Sequence, residues 1–363
     1  MTKTSLNSNY KEESRLFSEL GTERGIFFSL ATMRNDLFFS NDPGKVLEFY
    51  SSFNNVESII DWLENRPKGR TKIIEIDGNN DCIVVIPTAN HNNVHSQRCK
   101  DEIFTGMHII FVESGNFQDP FFSFSHSCNV GLRKAMEYGP TFIVWTNDDM
   151  LKIDESDKLR DELNKISNNR IKAVFAQRRH QVSTPVKVVK FSLIGKMIQS
   201  LIRHTKLYYR FVENFDGKAN FNSDKMFLNN VFEKGLKLSL YSKFHIHFLL
   251  TSSRWTLLSV LFTKVTDYMN FDAFGIIKST YLNNAKEIFD ENLIVQHSDQ
   301  DFSLRFGLNK HNVSCIDYSI QGIGRSTIKD TLAERLRNVV ADIYIDYKIK
   351  NNQYPDLLDF RIQ

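Results

Sequence analysis

The chain has 363 residues, and its 46 Lys and Arg against 43 Asp and Glu give a formal net charge of +3. This length can bury a large core and form one elaborated α/β domain or two smaller ones. The near balance of charge argues against a dedicated nucleic-acid binder, which needs a broad basic face, so no nucleic-acid partner is predicted.

The cysteine pattern indicates a reducing compartment. The four cysteines show no C-x-x-C pair, which predicts neither a zinc site nor a disulfide framework; they are Cys82, Cys99, Cys128 and Cys315. No uncharged run reaches the ~18 residues of a membrane span. Residues 1–24 lack the apolar core of a secretory signal. We expect a cytoplasmic protein, with peripheral attachment to the inner face of a membrane as an alternative.

Residues 1–80 predict a partly helical N-terminal extension. Lys45–Glu64 carries apolar residues at helical spacing, and Pro43 and Gly69 lie in turn-forming segments near its ends. We expect this extension to pack on a main domain at 81–326. A helical C-terminal tail is predicted over 327–363.

Strands and helices alternate from residue 81 onward. Apolar runs predict buried strands, and the segments between them predict helices. The strands are predicted over Cys82–Pro87, Met107–Val112, Thr141–Trp145 and Ile171–Ala176, and the helices over Asn93–Glu102, Ser125–Tyr138 and Asp157–Ile166. Because each strand is apolar along most of its length, we predict an α/β fold with a mostly parallel, Rossmann-like sheet covered by helices on both faces.

The first three of these strands end in polar residues. Thr88 with Asn90 follows the first, Glu113 the second, and Asn147 with Asp148 and Asp149 the third. In open α/β sheets the ligand crevice lies beyond the carboxyl ends of the strands. A desolvated carboxylate needs a cation or several donors, and Mg²⁺ or Mn²⁺ binds through one or two carboxylates plus substrate phosphates. The alternative is that Asp148 and Asp149 only cap a chain reversal.

Residues 180–270 are predicted to form a helical insertion. Val186–Arg210 mixes basic and apolar residues, which fits a helix on an anionic membrane surface or, as the favoured alternative, a helix packed on the core with a charged outer face. Phe248–Val265 is apolar but interrupted by Arg254 and Lys264, so a buried helix is predicted there.

Six short motifs follow one another along the chain. They are Pro87-Thr88, Glu113, Asn129-Val130-Gly131, Asn147-Asp148-Asp149, Phe289-Asp290-Glu291, and Ser298-Asp299-Gln300-Asp301 followed by Arg305. In this order they resemble the nucleotide-sugar-dependent glycosyltransferases of the GT-A fold, particularly the inverting family 2. The resemblance covers about residues 81–178 and 270–326.

The resemblance implies a role for each motif. The nucleotide part of the donor would be bound by Pro87, Thr88, Asn90, Glu113, Asn129 and Asp148. Asp149, together with Asp148, would hold Mn²⁺ or Mg²⁺ against the diphosphate. Asp299 would be the general base that takes the proton of the acceptor hydroxyl. Asp301 and Arg305 would shape the site. The expected partners are a nucleotide-sugar donor and a glycan, lipid-linked or protein acceptor.

Three positions depart from the family pattern. Ser298 replaces an acid, Gln321 stands near the place of a late His, and Asn147 is neutral, so metal dependence can be weak or absent. Helix N-capping is an alternative role for Asp299 and the favoured one for Asp301. Asn129 and Gly131 could equally serve only helix packing. A GT-A-fold binding protein without turnover and a sugar-phosphate nucleotidyltransferase are the alternative functions, although the latter should carry a glycine-rich loop after the first strand.

Overall fold

The computed structural model describes residues 32–114, 121–176, 186–191, 262–268, 274–283, 285, 287–294, 298–308, 311–323, 331–351 and 353. These residues form an α/β fold in which helices flank a mixed, mostly parallel sheet of seven strands. The arrangement is compatible with a Rossmann-like fold, as the alternation of strands and helices predicts.

Residues 32–38 are helical, and Cys99–Ile103 and Ser279–Tyr281 form a π turn and a 3₁₀ turn. The helices that carry the argument are α1 (Pro43–Ser51), α2 (Val56–Asn65), α3 (Val94–Arg98), α4 (Phe124–Met136), α5 (Ser156–Asn164), α6 (Ser298–Arg305) and α7 (Leu332–Lys350). The strands are β1 (Lys72–Ile76), β2 (Asn79–Thr88), β3 (Met107–Glu113), β4 (Phe142–Thr146), β5 (Met150–Lys152), β6 (Ala173–Ala176), β7 (Val186–Phe191), β8 (Phe262–Tyr268), β9 (Phe274–Lys278), β10 (Val313–Ile316) and β11 (Ile320–Gly322).

The strand order of the large sheet is β1-β3-β2-β4-β9-β6-β10. Strands β3, β2 and β4 are parallel neighbours, and β10 is parallel to β6. Strand β9 runs antiparallel between β4 and β6, and β1 is an antiparallel edge strand on β3. The prediction of a mostly parallel sheet is therefore confirmed. Two of its strands, β1 and β9, are antiparallel to their neighbours, which the sequence did not predict.

The central strand β2 is buried on both faces. Cys82, Val84 and Ile86 belong to one core cluster, and Ile83 and Val85 belong to the cluster on the opposite face. This is why the strand reads as an unbroken apolar run instead of an alternating one.

Helix α4 lies close against the sheet because of Gly131. A Cβ atom at this position would overlap the side chain of Val85 and would lie 2.7 Å from Cγ2 of Val112. The packing role that the sequence left open for Gly131 is the one observed.

The terminal helices form a third core. Buried side chains of α1 and α2 pack with those of α7 and with Leu304 of α6. The Tyr50 hydroxyl donates to the Leu336 carbonyl over 2.6 Å. The single helical stretch expected over Lys45–Glu64 is divided in two, because Asn55 forms a capping box with Ser58 and starts α2 there.

The insertion differs from its prediction where the structure describes it. Residues 186–191 and 262–268 are the paired antiparallel strands β7 and β8, so the helices predicted over Val186–Arg210 and Phe248–Val265 are wrong for these segments. Val, Thr and Phe supply much of both strands and are good strand formers. Residues 192–261 lie outside the described part of the chain. Among the described residues, no helix is long and apolar enough to cross a membrane.

Candidate functional site

Asp148 is the centre of a hydrogen-bonded group at the carboxyl ends of β2 and β4, which we call the strand-end cluster (Thr88, Asn93, Ser96 and Asp148). Its Oδ2 atom accepts from the Thr88 hydroxyl at 2.7 Å and from the Asn93 amide at 3.1 Å. The Ser96 hydroxyl lies 2.9 Å from Oγ1 of Thr88 and 3.5 Å from Oδ2 of Asp148. Asp148 therefore fixes the loop that follows β2 and does more than cap its own turn.

The loop after β2 is further ordered by Asn90. Its backbone N–H donates to Oγ1 of Thr88 at 3.2 Å, and its side-chain oxygen accepts from the N–H of Asn92 at 2.9 Å. Asn93 caps α3 by accepting from the N–H of Ser96 at 2.7 Å. Pro87 is buried in the strand just before the loop. These short polar contacts hold the backbone of the loop beside the strand ends.

Glu113 is buried at the end of β3 and is bound by His91 of the same loop. Its Oε2 atom accepts from the His91 N–H at 3.1 Å and lies 2.5 Å from the ring Nδ1. Because β3 and β2 are adjacent and parallel, Glu113 pairs in register with Thr88. The structure thus places Thr88, Glu113 and Asp148 along one sheet edge, whereas the contact with His91 was not foreseen.

Asp149 is 8% exposed and lies beside a segment from late in the chain. Its carbonyl accepts from the N–H of Ile323 at 2.9 Å, and β5 pairs with β11 so that Leu151 faces Gln321. The late segment that contains Gln321 therefore lies against Asp149, and a role for Gln321 in place of a late His stays a prediction. Gln321 is exposed at this edge.

The donor atoms at this edge suit a divalent metal only together with a ligand. Within the described residues, no group of three His, Cys, Asp or Glu side chains could hold a metal ion by itself. One oxygen of Asp148 is already engaged by Thr88 and Asn93. A metal ion here would need further ligands, which Mg²⁺ commonly takes from substrate phosphates, and the role of Asp149 as its protein ligand stays a prediction.

A second group of polar residues is built around Glu291, with Lys68, His126, Asn129 and Arg133, and we call it the Glu291 cluster. Asn129 is fully buried, and its amide exchanges two hydrogen bonds with the backbone of Phe289, at 2.7 and 2.8 Å. The same amide nitrogen donates to Oε1 of Glu291 at 2.9 Å. In this structure Asn129 binds the 289–291 segment, and the contact with nucleotide that the family resemblance implies stays a prediction.

Glu291 is held as a carboxylate by its neighbours. Oε2 lies 2.8 Å from Nδ1 of His126, and the cations of Lys68 and Arg133 lie 3.8 and 3.5 Å from its oxygens. Burial alone would raise the pKa of Glu291, but the hydrogen bonds from His126 and Asn129, together with the nearby positive charge, lower it to about 2.

A third group joins α6 to α7 and is called the Lys348 cluster (Asp290, Asp301, Arg305 and Lys348). Asp301 is fully buried, accepts from Nε of Arg305 at 2.7 Å and contacts the Lys348 ammonium. The capping role favoured for Asp301 is therefore wrong: it is the fourth residue of α6, and its side chain is bound by two cations. Arg305 also donates to the Glu287 and Ile288 carbonyls, at 2.9 and 2.6 Å, and its role in shaping a donor site stays a prediction.

An aromatic contact connects the two parts of the predicted site. Trp145, four residues before Asp149, packs against the rings of Phe289 and Phe302 with centroid distances of 5.5 and 5.3 Å. Phe302 follows Asp299 by about one helical turn in α6. Asp299 is half-buried, and its carbonyl accepts from the Ser303 hydroxyl at 2.9 Å. The strand leading to Asp149 and the helix containing Asp299 are therefore packed together.

Several residues of these clusters were not predicted from the sequence, notably His91, His126, Lys68 and Lys348. Each is a single polar residue whose partner is distant in the chain, and only the proximity of His126 to Asn129 within one helix offered a signal. Comparison with protein-family models finds no matching family, and comparison with curated proteins finds no matching sequence.

Proposed function

We propose that the chain is a nucleotide-sugar-dependent glycosyltransferase with a GT-A-like fold, which moves a sugar from a nucleoside diphosphate to an acceptor hydroxyl. One observation carries the proposal: the parallel strands β3, β2 and β4 present Glu113, Thr88 and the Asp148-Asp149 pair at one edge, around a preformed loop. This is the edge at which α/β sheets bind nucleotides.

The donor would lie across this edge. Thr88, Asn90 and Glu113 would contact its base and ribose, and Pro87 would form an apolar wall. Asp149 would face the diphosphate. A Mn²⁺ or Mg²⁺ ion, when bound there, would offset the negative charge that the leaving diphosphate gains.

Asp299 would serve as the general base. The acceptor oxygen attacks the anomeric carbon while the bond from that carbon to the diphosphate oxygen breaks, and the hydroxyl proton passes to the Asp299 carboxylate. Attack from the face opposite the leaving group gives inversion. The contact of Trp145 with Phe302 supports this assignment, because it packs α6 against the strand that ends at the acidic pair.

A GT-A-fold binding protein without turnover is the second candidate. The observation that favours it is the engagement of Asp148 by Thr88 and Asn93 beside a neutral Asn147, which leaves Asp149 as the main acid for a metal. Such a protein would bind a nucleotide sugar at the same edge and transfer nothing.

A donor panel tests both candidates. Calorimetry with nucleoside-diphosphate sugars, with and without Mn²⁺, measures binding, and product analysis with simple sugar acceptors measures transfer. We expect Asp149→Asn to weaken metal-assisted binding, and Asp299→Asn to keep binding while lowering transfer by about 10²–10⁴-fold. Asp157→Asn, an exposed acid on α5 paired with Arg160, is the matched control.

The outcomes separate the candidates. Binding without transfer in the wild type supports the binding protein. Transfer at the wild-type rate by both Asp149→Asn and Asp299→Asn would refute the assignment of roles. A wild type that binds no nucleotide sugar would refute both functions.

A further inference from the structure

Lys348 is a buried cation that touches two carboxylates from different segments. The side chain is 2% exposed, its ammonium lies 2.6 Å from Oδ2 of Asp290, and it also contacts Oδ1 of Asp301. An ammonium is transferred out of water only at great cost unless it is paired and hydrogen-bonded. Both carboxylates therefore contribute to keeping this lysine in place.

The two carboxylates need the lysine in return. Asp290 and Asp301 are 7% and 0% exposed, and both contact the same ammonium. With Arg305 on Asp301, the Lys348 cluster contains two negative and two positive charges. Removing Lys348 would leave one buried carboxylate without its counter-charge, which is strongly unfavourable.

Helix α7 also contacts the 290–292 segment one turn earlier. The Asn292 amide donates to the Tyr344 hydroxyl at 2.9 Å, and the Lys348 ammonium lies 5.7 Å from the centroid of the Tyr344 ring. Tyr344 and Lys348 are four residues apart and so lie on one face of the helix. The opposite end of α7 is anchored to α1 through Tyr50 and Leu336. Helix α7 is therefore held at one end by α1 and contacts the 290–292 segment near its other end.

The contact between Lys348 and Asp301 also bears on Asp299, because the two aspartates lie in the same turn of α6. Asp301 is two residues beyond Asp299 in the first turn of α6, and Asp290 lies before the segment that leads into this helix. Joining the two carboxylates fixes the start of α6 against the 290–292 segment. A displacement of about 1 Å of a reacting group can lower a rate by about 10²-fold.

We infer that Lys348 is a positioning residue for sugar transfer: by joining Asp290 to Asp301 it holds the first turn of α6, and with it Asp299, in the orientation that the reaction needs. This inference rests on the proposed function. Lys348 would act through Asp301, without contacting donor or acceptor itself.

The test compares Lys348→Met with Arg337→Met in the full chain. Arg337 is the matched control because it is also a buried cation of α7, but it pairs with Glu334 and donates to the Ser40 carbonyl, away from α6. We expect Lys348→Met to lower kcat by about 10²-fold with donor KM changed by less than about twofold, as for an interaction needed only in the transition state. Arg337→Met should leave both parameters near their wild-type values.

A second variant covers the case in which Lys348→Met does not fold. The double variant Asp290→Asn with Lys348→Met removes one charge of each sign, and Asp301 keeps its pair with Arg305. We expect it to fold and bind donor, yet to show the same loss of kcat because nothing joins the two segments.

The results distinguish this inference from the proposed function. A double variant with wild-type kcat, or equal losses in Lys348→Met and Arg337→Met, would overturn the positioning role while leaving the glycosyltransferase intact. A wild type that binds donors but transfers no sugar under any condition would overturn the proposed function, and the positioning role with it.

Discussion

The strand-end cluster holds one aspartate and the Lys348 cluster holds two, by different chemistry. Asp148 is held by neutral hydroxyl and amide donors from Thr88, Asn93 and Ser96. Asp290 and Asp301 are held by the buried cation of Lys348, and Asp301 also by the half-buried cation of Arg305. The Glu291 cluster combines features of both: His126 and Asn129 form hydrogen bonds with its buried carboxylate, and the exposed cations of Lys68 and Arg133 lie 3.8 and 3.5 Å from it.

This difference predicts that substitutions in the two clusters lower stability by different amounts. A hydrogen bond from a neutral donor to a carboxylate contributes about 1.5–3 kcal/mol net, and less where water can replace the donor, as at the half-buried Asp148. Loss of one partner from a buried ion pair costs about 3–5 kcal/mol, because a charge stays buried without compensation. We therefore expect substitutions in the half of the predicted site that contains Asp299 to lower stability more than substitutions in the strand-end half. Four variants at other positions, three in the hydrogen-bonded clusters and one where α4 packs on the sheet, are expected to lose stability in decreasing order.

The largest effect is expected from Asn129→Ala. Its amide satisfies both backbone groups of Phe289 and one oxygen of Glu291, all buried. Leaving them unpaired should lower the free energy of unfolding by about 3–4 kcal/mol. Urea denaturation measures it, with Asn65→Ala, an exposed asparagine that donates to the Asp61 carbonyl, as the control. A loss no larger than that of the control would contradict the role of Asn129.

The pH dependence of stability tests the Glu291 cluster. Because the folded-state pKa of Glu291, about 2, lies below its ordinary value of 4.5, the carboxylate stabilises the fold above about pH 4.5. This stabilisation is lost as the pH falls from about 4.5 toward 2, and it is on the order of 2–3 kcal/mol.

Glu291→Gln should therefore be less stable than the wild type at pH 7, and its stability should decline less steeply between pH 4.5 and pH 2. Thermal unfolding across this range measures both effects. Glu137→Gln, an exposed acid of the same region paired with Lys134, is the control. A variant whose decline is as steep as that of the wild type would exclude Glu291 as the titrating group.

Gly131→Ala tests the packing of α4 on the sheet. The added methyl group would overlap Val85 and crowd Val112, so we expect a loss of about 1–3 kcal/mol from overpacking. Thermal denaturation measures the change. Gly44→Ala is the control, because the nearest contact of the added methyl group would be the exposed Asp42 side chain at 3.2 Å. Equal stability of the Gly131 variant and the wild type would mean that α4 can move away from β2 without cost.

The smallest effect is expected from Thr88→Val in the strand-end cluster. It removes the hydroxyl that donates to Asp148 while keeping the shape of the side chain, and we expect a loss of about 1 kcal/mol. Thr105→Val, whose exposed hydroxyl donates to the Asp101 carbonyl, is the control in urea denaturation. A loss at Thr88 larger than that of Asn129→Ala would break the contrast between the two halves.

The strand-end half of the site was predictable because its residues follow strands. Apolar runs ending at Thr88, Glu113 and Asn147 locate three strand ends, and adjacent parallel strands bring such ends to one edge. The edge strand β1 was missed because its charged, largely exposed residues lack a buried run. The reversal of β9 was missed because an apolar run carries no information about strand direction.

The residues of the half that contains Asp299 are paired with residues far away in the chain, and no local sequence pattern indicates these pairs. Lys348 lies 58 residues from Asp290, and Asn129 lies 160 residues from Phe289. The sequence presents Lys348 as one more lysine on a helix, and Asp301 as a good helix cap. The buried ion pairs that decide their roles arise only when α7 packs beside α6. The strands β7 and β8 were misassigned because their mixed basic and apolar residues also fit an amphipathic helix.

The most direct test of the account is a structure of the chain with a nucleoside-diphosphate sugar bound, in which the position of the sugar is measured relative to Asp149 and Asp299. We expect the diphosphate beside Asp149 at the ends of β2 and β4, with the anomeric carbon on the side that faces the Asp299 carboxylate. A nucleotide bound away from this edge, or an Asp299 side chain directed away from the sugar, would contradict the account.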